Sequence, residues 1–277
     1  EVSASVTACR TWESRCSRPL PLNTVAMLQM ASTELGIGPG DALHIAEQLY
    51  LKGVTSYPRT ETDRYPANFD LEDTLRAVGS RDAPWAEHAQ GLLRDGLTAP
   101  REDGFDAGDH PPITPVRGAT KAQCGGEAGW VLYQAICCHF LASDAPDALF
   151  TEAEVRLDVG PEAFVARSSR CVSRGWLDVE GRQSGGEGSM DLSHAGLERG
   201  AALRVEALEL GSHHRDPPGH LSESELLGLM ETHGIGTDAS MATHVSNVCK
   251  REYVELDEST RQMRPTPLGL ALAHGMT

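Results

Sequence analysis

A predicted helix that runs directly into Tyr57-Pro58-Arg59 is the feature that most constrains the fold. Apolar residues recur at helical spacing between residues 41 and 52, and Gly53 is a typical helix stop. Pro58 fixes its own backbone and pushes Tyr57 out of the helical region. The sequence therefore predicts that a packed helix holds Tyr57 on a stiff, extended or turning segment.

The residue types of this segment suit attack on a phosphate. Arg59 can place a planar guanidinium near the Tyr57 phenol. The phenol would be the nucleophile, and the guanidinium would stabilise the oxygens that gain charge. A buried tyrosine and a surface arginine in a turn are the ordinary alternative, which the residue types alone favour.

Length and charge set limits on this interpretation. The length of 277 residues suggests two domains or one split domain. Of these residues 40% are hydrophobic, which is enough to form hydrophobic cores. Its formal net charge of −16 argues against a general nucleic-acid-binding surface. Net charge says little about a local groove, so a basic site on part of the surface stays open.

The cysteines indicate a cellular environment and not a metal site. The seven cysteines form no Cys-x-x-Cys pair, which argues against structural zinc. Their odd number and scattered spacing are typical of free thiols in a reducing compartment. We expect a nuclear and/or cytoplasmic location.

The pattern predicts helices before residue 148 and strands after it. Asn23 or Thr24 would cap a helix that Gly36 ends, and further helices are predicted at 85–93 and 129–143. Residues 1–20 carry few structural signals. Predicted strands and a flexible loop follow, at 151–159, 164–167, 176–179 and 202–210 for the strands and 180–191 for the loop.

The last part of the chain predicts a winged-helix-like order. Ser222 and Glu225 form a capping-box pattern before a helix, and residues 233–236 make a tight turn. A second helix is predicted from near Asp238, its expected N-cap. Residues 253–256 and 262–265 would then pair as strands, giving the order helix, turn, helix, hairpin.

Three long motifs carry a resemblance to a known family. Residues 56–62 read Ser-Tyr-Pro-Arg-Thr-Glu-Thr, residues 106–115 read Asp-Ala-Gly-Asp-His-Pro-Pro-Ile-Thr-Pro, and residues 233–240 read His-Gly-Ile-Gly-Thr-Asp-Ala-Ser. In order and rough spacing they resemble the signatures of type IA DNA topoisomerases. The residues in these motifs are similar to those of the beta form of the eukaryotic topoisomerase III branch.

The resemblance implies specific roles for residues of these motifs. The implied catalytic residues are Tyr57, Arg59 and His110, with the histidine beside the tyrosine helping to hold the scissile phosphate. The implied DNA-binding residues are Arg59, Thr60, His110, Thr237, Asp238 and Ser240. Free backbone N–H groups at a helix start near residue 238 would also favour a phosphate. The chain itself is predicted to hold no metal ion.

The resemblance implies an α+β multidomain fragment of a topoisomerase core. Residues 1–19 would be a lead-in that belongs to a gate or hinge, and residues 20–148 a helical domain carrying Tyr57. Residues 149–213 would form a β-rich gate or hinge module. Residues 214–277 would form a winged-helix-like DNA-binding part.

The implied activity is single-strand cleavage through a 5′-phosphotyrosine, strand passage and religation, without ATP. It would relax negatively supercoiled DNA. The family's Toprim domain, which binds Mg²⁺, is not found here, and the first residue is Glu1. We therefore expect a fragment that does not cleave alone. Single-stranded DNA, RNA and a Tudor-domain protein are the implied partners, and no membrane is implied.

Two other functions remain open at this point. A non-enzymatic nucleic-acid-binding regulator built on residues 214–268 is the first, although Lys250 and Arg251 are few cations for a recognition helix. A degenerate paralogue that serves as an interaction module is the second. The acidic charge and the missing Toprim domain keep the degenerate paralogue open as an alternative.

Overall fold

The computed structural model describes residues 2–80, 83–181, 191–194 and 196–276. The chain divides into two compact units. The first unit combines Glu1–Arg18 with Ala145–Asp216, and the second combines Pro19–Asp144 with Pro217–Thr277. The four-part division predicted from the sequence is a finer one, and it stays a prediction.

The first unit is built on an antiparallel sheet with the strand order β3-β2-β1-β4. It also contains a short helix and a 3₁₀ turn. The bounds are β1 (Ser3–Cys16), β2 (Ala148–Val159), β3 (Glu162–Ser173), α7 (Leu177–Glu180), the 3₁₀ turn (Leu192–His194) and β4 (Ala202–Arg204).

Strand β1 lies in residues 1–20, which carry few structural signals in the sequence. Along it Cys16 pairs with Ala148 of β2, and the pairing continues to Ser5 and Asp158. Most β1 side chains are exposed, so the strand lacks the apolar alternation that normally reveals a strand. Its strand form depends on pairing with residues about 140 positions away in the chain.

The predicted strand at 176–179 is wrong. Those residues form helix α7 and its N-cap Trp176, with a backbone hydrogen bond from Leu177 to Arg174 at 3.1 Å. A four-residue segment is too short for periodicity to separate helix from strand. Of the predicted strand at 202–210, only the first 3 residues form a strand, which is β4. Most of the predicted flexible loop, residues 182–190, lies outside the described residues.

The second unit begins with helices whose ends match their local signals. The Asn23 side chain accepts a hydrogen bond from the Ala26 N–H at 2.9 Å, and Gly36 ends the helix with a φ of 66°. The bounds are α1 (Thr24–Leu35), α2 (Pro39–Leu51), α3 (Leu71–Val78), α4 (Ala86–Asp95), α5 (Lys121–Cys124) and α6 (Glu127–Asp144). Helix α6 supplies much of the core through Leu132, Tyr133, Ile136 and Phe140.

The C-terminal part of the second unit has the predicted order of helix, turn, helix and hairpin. Its elements are α8 (Glu223–Thr232), α9 (Met241–Lys250), β5 (Val254–Leu256), β6 (Met263–Pro265) and α10 (Pro267–Met276). Ser222 and Glu225 form the predicted capping box. Within this unit, α8 packs on α1, where the Gln29 amide donates to the Ser224 carbonyl at 3.0 Å.

Helix α9 begins later than predicted. Its N-cap is Ser240 and its first residue is Met241, so Asp238 is not the cap. Residues 238–240 form a turn, in which the Ser240 N–H donates to the Thr237 carbonyl at 2.9 Å. None of the described helices is long and apolar enough to span a bilayer.

Candidate active site

The tyrosine segment is paired to the histidine motif by backbone hydrogen bonds. The Ser56 N–H donates to the Thr114 carbonyl at 2.8 Å, and Thr55 forms an isolated antiparallel bridge with Pro115. The Val116 N–H donates to the Val54 carbonyl at 2.9 Å. This pairing brings together two motifs that are about 50 residues apart in the sequence.

A buried hydroxyl at the start of α1 holds the next residues of the segment. The Thr24 hydroxyl donates to the Pro58 carbonyl at 2.7 Å and accepts from the Thr60 N–H at 2.8 Å. The Thr24 N–H also donates to the Thr60 carbonyl at 3.0 Å. Thr24 is fully buried, so these bonds fix the backbone directly after Tyr57 without competition from water.

Asp109 joins the histidine motif to residues 60–62. Its carboxylate accepts hydrogen bonds from the Glu61 N–H at 2.9 Å and from the Thr62 hydroxyl at 2.6 Å. The Thr60 hydroxyl lies 3.1 Å from the same carboxylate and 2.5 Å from the His110 carbonyl oxygen. Desolvation raises the pKa of Asp109, but these hydrogen bonds outweigh it and leave the pKa below its ordinary value.

The structure therefore gives Thr60 a different role from the predicted one. Thr60 is 1% exposed, and both its N–H and its hydroxyl are bonded inside the protein. A buried side chain whose hydroxyl is already bonded inside the protein is not accessible to DNA. We assign Thr60 to positioning the segment between Tyr57 and His110.

Tyr57 and His110 meet as the family resemblance predicts. Their ring centroids are 4.6 Å apart in an edge-on arrangement. Tyr57 is half-buried and His110 is exposed. The ring of Tyr50, at the end of α2, also packs edge-on against Tyr57, with 5.1 Å between the ring centroids, and Tyr50 is 43% exposed. The partly exposed Tyr57 ring is therefore in contact with two other rings.

Arg59 is bound to a carboxylate and a carbonyl. Its guanidinium donates to Glu47 Oε1 through Nε at 2.9 Å and Nη2 at 2.6 Å. Its Nη1 donates to the Ala239 carbonyl at 3.0 Å. Arg59 therefore ties the tyrosine segment to α2 and to the third motif.

The third motif forms a glycine-rich turn that ends at α9. Gly234 and Gly236 have φ values of 63° and 83°, which a residue with a side chain rarely adopts. The Thr237 N–H donates to the Ser240 hydroxyl at 3.0 Å. Thr237 is exposed, whereas Asp238 and Ser240 are partly exposed. DNA binding by these three residues stays a prediction, and Arg59 brings their turn to the tyrosine segment.

Metal-ligating side chains are not clustered in the part of the chain that the structure describes. Within that part, no group of three or more His, Cys, Asp or Glu side chains is arranged to hold a metal ion. Among the described residues, the side chains therefore do not form a Mg²⁺ site of their own. The predicted location of Mg²⁺ in a separate Toprim domain stays a prediction.

Sequence reasoning did not single out several residues that build the site. Asp109 lies within the histidine motif but carries no signal of its own, and the sequence around Thr24 predicts only a helix cap. Tyr50 and Glu47 lie on α2 with no signal of their own, because an exposed tyrosine and glutamate are common on helices. Only the tertiary contacts identify their partners.

Comparison with known proteins identifies the class. The fold is similar to the full-length topoisomerase I from Thermotoga maritima, with a TM-score of 0.74 over 99% of this chain and 45% of that chain, at 18% identity. The family profile described as DNA topoisomerase matches residues 1–277. The chain belongs to the DNA topoisomerase family, and the predicted α+β core fragment of a type IA enzyme is confirmed.

Similar relatives include members of the topoisomerase 3-beta and 3-alpha branches of that family. The chain is 44% identical to DNA topoisomerase 3-beta-1 of Homo sapiens over 275 residues, which is 99% of this chain and 31% of that protein. It is 46% identical to DNA topoisomerase 3-beta of Arabidopsis thaliana over 258 residues, 93% of this chain and 29% of that protein. Identity to DNA topoisomerase 3-alpha of Homo sapiens is 35%.

These values confirm the predicted resemblance to the topoisomerase III beta branch. The chain spans about a third of the length of the curated relatives that it matches.

Proposed function

We propose that this chain carries the nucleophile of a type IA topoisomerase. The Tyr57 phenolic oxygen attacks a backbone phosphate of single-stranded DNA and forms an O–P bond. The bond between phosphorus and the 3′ oxygen breaks, so the 5′ phosphate stays on the tyrosine. The phenol loses its proton, and the leaving 3′ oxygen gains one. Reversal of these steps, with the 3′ hydroxyl as the attacking group, reseals the strand.

The pairing of the Tyr57 and His110 rings is the observation that supports this proposal most strongly. A nucleophile must be held in a defined place beside the groups that bind the phosphate. Here the ring centroids are 4.6 Å apart. The hydrogen bond of Thr24 to Pro58 holds the tyrosine segment, and the hydrogen bond that Asp109 accepts from Glu61 joins it to the histidine motif. His110, which is exposed, would contact a phosphate oxygen next to the phenol.

Arg59 would act through its charge and its contacts. A guanidinium stays protonated at neutral pH and cannot serve as the general base for Tyr57. Its positive charge favours a phosphate bound along the segment, and its bond to the Ala239 carbonyl holds the third motif close. DNA contacts by Thr237, Asp238 and Ser240 belong to the same proposal.

The remaining parts of the proposal concern the whole protein. A Toprim domain outside this chain would bind Mg²⁺, which would supply positive charge at the scissile phosphate. This chain alone would then be inactive in cleavage.

Strand passage would relax negatively supercoiled DNA, and RNA would be a second substrate. A Tudor-domain protein would be a partner, and the location would be nuclear and/or cytoplasmic.

A covalent trap tests the nucleophile. We join this chain to the Toprim segment of a close relative, add Mg²⁺ and a labelled single-stranded oligonucleotide, and denature the mixture. We expect a labelled protein band that disappears in Tyr57→Phe, because that change removes the attacking oxygen. Tyr50→Phe is the matched control, since it removes an exposed phenol from the same site and should keep the band.

Two results would argue against the proposal. A band that persists in Tyr57→Phe would assign the nucleophile elsewhere. If the unmodified protein binds the oligonucleotide but gives no band with Toprim segments from several relatives, the interaction-module alternative would be favoured.

A further inference from the structure

A carboxylate surrounded by arginines lies on the sheet of the first unit. Glu154, in the middle of β2, is 2% exposed. Its Oε1 lies 2.9 Å from Arg10 Nη2 and 3.1 Å from Arg156 Nε, and its Oε2 lies 2.9 Å from Arg167 Nε. The three arginine side chains are 57 to 73% exposed, so they cover Glu154 and still face solvent.

Strand register places these groups on one face of the sheet. Arg10 on β1 and Arg167 on β3 both pair directly with Glu154 on β2. Trp12 is two residues after Arg10 on β1, so it points to the same face. The Arg10 guanidinium lies 5.1 Å from the centroid of the Trp12 ring, and Trp12 is 41% exposed. We call Arg10, Trp12, Arg156 and Arg167 the arginine–tryptophan face.

The exposed charges around Glu154 are those of the guanidinium groups, although the protein as a whole is acidic. Hydrogen bonds from Arg167 and Arg10, and then Arg156, lower the pKa of Glu154 to about 2, so it is charged at neutral pH. Glu152 on the same face adds a second carboxylate, which accepts from the hydroxyls of Ser14 and Ser169 at 2.9 Å. Asp158, two residues after Arg156 on β2, is a third carboxylate on this face, so the formal charges of the face balance. Glu154 is 2% exposed beneath the three guanidinium groups, so the charge that faces solvent around it comes mainly from those groups.

We propose that the arginine–tryptophan face binds single-stranded nucleic acid, separately from the tyrosine segment. A base would stack on the exposed part of Trp12, next to the Arg10 guanidinium. Backbone phosphates would bind the exposed guanidinium groups of Arg10, Arg156 and Arg167. An exposed indole within a cluster of guanidinium groups on an open sheet is the combination that such strands recognise. A purely acidic polypeptide would use the charges but would not need the indole.

Site-specific crosslinking distinguishes this face from the tyrosine segment. The full chain is irradiated with oligothymidylate that contains 4-thiothymidine, and the crosslinked peptides are mapped by mass spectrometry. We expect crosslinks in the β1 peptide that contains Trp12, besides any in the peptide that contains Tyr57. Loss of the Tyr57 crosslinks alone would count against the proposed catalytic site and leave this face intact.

Substitutions then test the two kinds of contact. Trp12→Ala should weaken oligothymidylate binding, measured from the crosslink yield of the β1 peptide, about fivefold to a hundredfold. Trp12→Phe should keep most of the binding, because phenylalanine still stacks. Arg167→Ala should reduce the slope of log affinity against log salt by about 0.7. Arg204→Ala is the matched control, because Arg204 is 69% exposed on β4 of the same sheet and pairs with Glu206.

Circular dichroism establishes that each variant is folded before its binding is compared. The proposal is overturned if the β1 peptide gives no crosslink, or if Trp12→Ala and Arg204→Ala bind alike. It is also overturned if polyglutamate displaces the oligonucleotide from this face and Trp12→Ala has no effect. That last result would identify an acidic polypeptide as the partner.

Discussion

At the scale of single residues, buried hydroxyl groups and one carboxylate define where Tyr57 lies. Thr24 holds the backbone after the tyrosine, and Asp109 joins residues 60–62 to the loop that carries His110. Their effect on catalysis would therefore come through position, and changes in them should alter stability as well as adduct formation.

Thr24→Val should destabilise the second unit. The variant removes the hydroxyl that accepts from the Thr60 N–H, and it leaves that buried N–H without its partner. We expect a loss of about 1–3 kcal/mol in the free energy of unfolding, measured with urea. Thr232→Val is the control, because its hydroxyl bonds to the Gly228 carbonyl on an exposed helix surface and should change stability by less than about 0.5 kcal/mol. Equal losses in both variants would refute the stabilising role of the Thr24 hydroxyl.

Asp109→Asn should have an effect that depends on pH. The folded pKa of Asp109 lies below its ordinary value of 3.8, so its stabilising contribution is present above that value and is lost as pH falls through the folded pKa. We expect a loss of about 1 kcal/mol at pH 7, since the carboxylate is partly open to solvent. The difference between the variant and the unmodified chain should shrink as the pH falls below 3.8.

The control for Asp109→Asn is Asp106→Asn. Asp106 accepts only an exposed bond from the Gly108 N–H among the contacts described, at 2.9 Å. Urea unfolding at several pH values provides the measurement. A loss that stays constant from pH 7 to strongly acidic conditions would show that the charge of Asp109 is not what stabilises the loop.

At the scale of elements, local signals set the ends of helices but not the strand at the start of the chain. The capping box of α8 and the glycine at the end of α1 depend on residues within one turn of the helix end. Strand β1 has no comparable signal. It is a strand because β2 supplies a partner along its length.

Ser222→Ala should weaken α8. The Ser222 hydroxyl accepts from the Glu225 N–H at 3.2 Å, and the Glu225 carboxylate accepts from the Ser222 N–H at 2.8 Å. We expect a loss of about 1 kcal/mol in the free energy of unfolding. Ser224→Ala, inside the helix, should stay within about 0.5 kcal/mol. If the two alanine variants were equally stable, the cap would contribute nothing measurable.

At the scale of the whole molecule, charge and function have to be reconciled. A net charge of −16 is unusual for a protein that would bind DNA. The described cations are not spread evenly, since Arg10, Arg156 and Arg167 share one face of the sheet. Binding can therefore depend on local groups while the overall charge stays acidic.

The isolated chain should form no covalent adduct. With Mg²⁺ and labelled single-stranded DNA, we expect binding but no labelled band after denaturation, because the described residues hold no metal site. The same chain joined to a Toprim segment is the positive control. Robust cleavage by the 277 residues alone would refute the proposed division of the active site.

The sequence by itself determined the family motifs, the helical character of the tyrosine domain and the ends of several helices. Each depends on neighbouring residues, such as Pro58 after Tyr57 or Glu225 after Ser222. The tertiary structure alone decided the partners of Arg59, the burial of Thr60 and the pairing of β1. Those outcomes depend on contacts between residues far apart in the chain, such as Arg59 with Ala239, for which local propensity and spacing carry no information.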